Sequence, residues 1–132
     1  MKFGFQAVLV ALVLAVPASA QSDDDWKRAD AVEVRIKSFS FTPSVVHMKA
    51  GVPVRLTLVD EKGGHNFSAP EFFSAAQIAP EDRGKVPNGK VELEGGETLT
   101  IRIVPSVGTY KLNCTHLMHT SFGMKGKIVV EA

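Results

Sequence analysis

The chain has 132 residues, 15 Lys and Arg against 14 Asp and Glu, and one cysteine. That length supports about one domain. Without Lys2, near the start of the chain, 14 basic residues face 14 acidic ones. This neutrality argues against nucleic acid as a partner.

Residues 1–20 combine a basic start at Lys2, an apolar run over residues 3–16, a breaker at Pro17 and the small triplet Ala18-Ser19-Ala20. The pattern reads as a secretory signal peptide, with an apolar run shorter than the ~20 residues of a membrane-spanning helix. It implies export to the periplasm and no membrane span after cleavage. Residues 21–30 carry Asp23, Asp24, Asp25, Lys27 and Arg28 around Trp26, the composition of a flexible N-terminal arm. Residues 31–132 form the expected folded domain.

Within that domain Val32, Val34 and Ile36 alternate with charged residues. The same two-residue period recurs at Val54, Leu56 and Leu58, and at Leu99, Ile101 and Ile103. Shorter runs lie at 45–49, 90–94, 109–114 and 127–131, many separated by turns such as Ala50-Gly51, Gly63-Gly64, Gly95-Gly96 and Pro105-Ser106-Val107-Gly108. Short strands at this spacing predict an all-β fold, a two-sheet antiparallel β-sandwich of Greek-key type. Residues 68–88, with three prolines and the pair Phe72-Phe73, are expected as an excursion outside the sheets with one helical turn near 73–78.

An exported protein with one cysteine has no internal disulfide, so Cys114 is an inert buried thiol, an inter-chain link or a ligand. Strand alternation puts Tyr110, Leu112 and Cys114 on one face, with the thiol at the strand end. The next ten residues hold His116, Met118, His119 and Met124. Thiolate, imidazole and thioether together suit copper, because the sulfurs favour its reduced ion and the nitrogens accommodate the oxidised one. A set of one cysteine, two histidines and one methionine requires a second histidine from elsewhere. His65 is the candidate, because Gly63-Gly64-His65-Asn66-Phe67 follows closely on the strand ending near Asp60. His47 and Met48 fit an ordinary strand better than a metal role. Phe67, Phe72 and Phe122 read either as core or as an apolar rim around the site.

These motifs resemble the cupredoxins, the family of plastocyanin, pseudoazurin, amicyanin and azurin, over residues 32–130. The similarity rests on Phe39-Ser40-Phe41-Thr42-Pro43 with Ala50-Gly51, on His65-Asn66, and on residues 110–126 with Gly123-Met124-Lys125-Gly126. The resemblance implies one copper ion held by His65, Cys114, His119 and Met124, with Asn66 bracing the site around the cysteine. The spacing from Cys114 to His119 is azurin-like, while His119 to Met124 is plastocyanin-like. His116 therefore stands as the alternative ligand to His119.

Two functions follow. One is a blue-copper electron carrier, its Cu(II)/Cu(I) ion exchanging electrons with a redox partner protein. The other is copper handling, with a copper donor or acceptor as partner, motivated by His116, Met118, His47 and Met48. Four histidines in all do not furnish both a mononuclear site and the histidine-rich cluster of a copper enzyme, so no enzymatic activity is expected. A monomer is expected.

Overall fold

The computed structural model describes residues 21–116 and 124–132. The expected signal segment, residues 1–20, lies outside the described residues. Among the described residues ten strands make two five-stranded sheets. The first comprises β1 (Asp30–Lys37), β2 (Ser40–Thr42), β4 (Val54–Asp60), β6 (Gln77–Ile78) and β8 (Thr98–Val104), in the order β2-β1-β4-β8-β6. The second comprises β3 (Val45–Lys49), β5 (His65–Ser68), β7 (Lys90–Leu93), β9 (Gly108–Asn113) and β10 (Lys125–Glu131), in the order β3-β10-β9-β5-β7.

The alternating runs become strands that turn one row of side chains inward. In β4 Val54, Leu56, Leu58 and Asp60 are buried and the residues between them are half-buried. Opposite them, Val46, Met48, Leu112, Ile128 and Val130 supply the core from the second sheet. Phe67 is fully buried near the middle, with its ring edge-on to Phe41 at 5.9 Å and to Phe73 at 6.0 Å.

The sandwich is as expected, but its sheets are mixed, not purely antiparallel. β1 runs parallel to β4, and β3 parallel to β10. Each pair joins strands that are not sequence neighbours, so no hairpin forces them antiparallel.

Residues 68–88 leave the sheets only in part. They contain a short helix over Pro70–Ala75, then β6 on the edge of the first sheet and 3-10 turns at Pro80–Lys85 and Pro87–Gly89. Pro70 opens that helix at a position where its missing N–H costs nothing. Phe72 and Phe73 face the core, which settles Phe72 as a core residue, as it does Phe67.

Within the expected N-terminal arm, Asp23–Lys27 forms a helix closed by a capping box. The Ser22 hydroxyl accepts from the Asp25 N–H at 3.2 Å, and the Asp25 carboxylate accepts from the Ser22 N–H at 2.9 Å. Trp26 is buried, with the Arg102 guanidinium 5.8 Å from its ring centroid. One large aromatic ring thus docks a segment whose charges would otherwise keep it in solvent. Among the described residues no helix is long and apolar enough to cross a membrane.

Candidate metal centre

The pairing registers bring several chain segments to one end of the sandwich. β4 ends at Asp60, β5 begins at His65, β9 ends at Asn113, and β10 begins opposite it at Lys125. Residues 60–65 and 94–97 therefore share this end with Cys114 and Met124. Gly95 and Gly63 approach so closely there that a Cβ on Gly95 would lie 3.0 Å from the Gly63 nitrogen.

Cys114 follows β9 and is fully buried. Its backbone N–H donates to the Met124 carbonyl at 3.2 Å, which places Met124, also fully buried, beside it. The backbone N–H of Asn66 points at the Cys114 sulfur across 3.5 Å. An N–H so placed can hydrogen-bond a cysteine sulfur that ligates a metal.

His65 precedes Asn66 and is 1 % exposed. Its Nε2 lies 2.9 Å from the Lys62 carbonyl oxygen. A carbonyl oxygen only accepts, so in the neutral ring Nε2 carries the proton and Nδ1 carries the lone pair. That contact sets both ring orientation and tautomer. Beneath the turn, Asp60 is fully buried, and burial raises its carboxyl above the usual range. Its Oδ1 accepts from the Lys62 N–H at 3.2 Å, while Oδ2 has no hydrogen-bond partner among the described residues.

Asn66 ties the two halves of the site together. Its Oδ1 accepts from the Thr115 N–H at 2.8 Å, and its Nδ2 donates to the Thr115 hydroxyl at 2.7 Å. A side-chain amide thereby mimics a strand partner for the residue after Cys114. β5 and β9 otherwise share a single register pair, Ser68 with Asn113, so Asn66 extends their connection towards the loop.

The structure thus brings together Asn66, Cys114 and Met124 among the expected residues, with His65 next to Asn66 at the start of β5. His119, Met118 and Phe122 lie outside the described residues. Among the described residues no three of His, Cys, Asp and Glu gather as a metal cluster. His116 is half-buried, its Nε2 3.1 Å from Glu92 Oε2. His47 and Met48 are on β3, whose pairing with Val129 and Val130 carries them towards the opposite end of the sandwich. A cavity of about 620 Å3 is also elsewhere, lined by Trp26, Ile78, Arg83 and Arg102. Sequence reasoning missed Glu92 and Asp60; a buried carboxylate at a strand end and a cross-strand neighbour carry no spacing signal.

A buried thiol receiving an N–H, an imidazole with a fixed tautomer and a buried thioether suit a soft-to-borderline transition metal such as copper. The chemistry of the donor set and its hydrogen-bonded surroundings therefore fit that ion.

The chain matches the cupredoxin-like domain family over residues 5–130. No curated protein matches it by sequence. Among solved structures it is similar to auracyanin B, with a TM-score of 0.57 and 23% identity, covering 79% of this chain and 90% of that one. It is similar also to dithionite-reduced auracyanin from Roseiflexus castenholzii, at 0.59 and 19%, covering 79% and 98%. A third is auracyanin A, described as a "blue" copper protein, from Chloroflexus aurantiacus, at 0.53 and 18%, covering 76% and 98%. Identities this low speak to the fold, and the sandwich agrees with it. Since the family match takes in nearly the whole chain, the protein belongs to the cupredoxin-like domain family.

Proposed function

We propose that this protein is a periplasmic mononuclear copper protein, an electron carrier of the blue type, with His65, Cys114, His119 and Met124 as ligands. The observation that carries the reading is the buried Cys114 sulfur facing the Asn66 N–H, with Met124 beside it and His65 adjacent in sequence to the donor. Copper bound there would supply one-electron exchange between its two oxidation states.

The chain's own residues do the rest. The Asn66 N–H points at the sulfur, where it would hydrogen-bond a metal-bound thiolate, and the Lys62 carbonyl keeps the His65 lone pair on Nδ1. Burial of Cys114, His65 and Met124 excludes water. The sandwich fixes these side chains through its paired strands, so little rearrangement accompanies a change of charge. What supports His119 over His116 is the family resemblance, in which the run from His119 to Met124 has the plastocyanin-like spacing.

Titrating metal-free protein with copper tests the ligand set. One equivalent should bind to wild type and to the His116→Ala variant, with affinity falling at least tenfold for His119→Ala. A loss confined to His116→Ala would transfer the ligand role to His116.

A further inference from the structure

Glu92 belongs to no motif of the family resemblance, yet its carboxylate meets two parts of the metal end. It lies on β7 directly opposite Asn66 on β5. Oε1 accepts from Asn66 Nδ2 at 2.8 Å, and Oε2 lies 3.1 Å from His116 Nε2. Burial acts to raise its pKa, but the Asn66 and His116 hydrogen bonds outweigh it and hold the carboxyl below the usual range. Both oxygens are then acceptors.

The consequence runs through Asn66. Its two Nδ2 hydrogens go to Glu92 and to the Thr115 hydroxyl, and its Oδ1 receives the Thr115 N–H. A carboxylate on one side and an N–H on the other permit a single amide orientation, because a flipped Asn66 would set oxygen against oxygen. Glu92 also reaches past Asn66 to His116, two residues beyond Cys114. One side chain therefore grips the chain after Cys114 twice, indirectly at Thr115 and directly at His116.

We propose that Glu92 is a positioning residue of the metal centre: by fixing the Asn66 amide and the His116 ring it holds residues 114–116 so that the Cys114 sulfur is presented to the metal. The inference deepens the metal-binding reading and rests on it, but its first consequences are visible without metal. In Glu92→Ala one Asn66 hydrogen loses its acceptor and His116 loses its carboxylate. Glu92→Gln keeps an acceptor for Asn66 and is the conservative rescue.

The experiment compares metal-free wild type, Glu92→Ala and Glu92→Gln by amide hydrogen exchange and by the rate of Cys114 alkylation with iodoacetamide. For Glu92→Ala, Thr115 exchange and Cys114 alkylation should each rise about fivefold, the effect of losing one ordinary hydrogen bond. Exchange at Leu56 and Ile101 should not change, and Glu92→Gln should stay near wild type. In the copper-loaded protein the thiolate-to-copper absorption of Glu92→Ala should shift in wavelength. Unchanged Thr115 exchange and alkylation in Glu92→Ala would overturn the proposal, as would equal loosening at Leu56 and Ile101 or a Glu92→Gln variant as loose as Glu92→Ala. A wild type that takes up no copper would instead overturn the metal-binding reading, leaving the metal-free comparison to report on the clamp alone.

Discussion

Asp82 shows how a single residue can stabilise this fold away from the metal end. The residue is 4 % exposed; Oδ2 accepts from both the backbone N–H and Nε of Arg102 at 2.9 Å, and Oδ1 pairs with Lys85 Nζ at 2.9 Å. Burial pushes its pKa up, but these hydrogen bonds outweigh burial and hold it below the usual value. An acid whose folded pKa is depressed contributes stability that is complete above its unfolded pKa, about 3.9, and is lost as pH falls through the folded value. Asp82→Asn should therefore cost about 2 kcal/mol in urea unfolding at pH 7, and its difference from wild type should shrink as pH falls below about 4. At this scale the ligand candidates were legible, because Cys114, His65 and Met124 announce themselves by residue type and order. Glu92 was not, since its position beside Asn66 exists only once β5 and β7 pair.

At the scale of elements, legibility followed the number of covered faces. β4 buries Val54, Leu56 and Leu58 and β8 buries Ile101 and Ile103, each in alternation, and both were readable as strands. β5 buries all four of His65, Asn66, Phe67 and Ser68, so it has no alternation, and the sequence offers only a histidine near a turn. The helix at Asp23–Lys27 spans five residues, too few for periodicity. It is held by Trp26, and Trp26→Ala should lower stability by about 2 kcal/mol while leaving copper binding intact, measured by thermal unfolding and copper titration. Gly126 in β10 carries a sharper steric demand. A Cβ there would stand 2.5 Å from the Ser44 carbonyl oxygen and 3.2 Å from Leu112. Gly126→Ala should cost about 1–3 kcal/mol by forcing β10 off its neighbours, a loss readable in chemical denaturation.

For the whole molecule, the two sheets enclose one core whose central side chain is Phe67. Phe67→Ala should destabilise the protein by about 3–5 kcal/mol, as a drop in denaturation midpoint at unchanged slope. The same core should keep the metal-free protein folded, because the strands meet through apolar side chains and not through a metal. The sandwich was legible as a whole because many short alternating runs leave few alternatives. Its mixed pairing was not, because β1 with β4 and β3 with β10 are contacts between strands distant in sequence.

The central claim is that Cys114 binds copper as a thiolate within this frame, and visible absorption with electron paramagnetic resonance of purified protein plus one equivalent of Cu(II) tests it most directly. The account predicts an intense thiolate-to-copper band with narrow hyperfine splitting in wild type, and loss of both in Cys114→Ser. A wild type that stays colourless, or a Cys114→Ser variant that keeps the band, would contradict it.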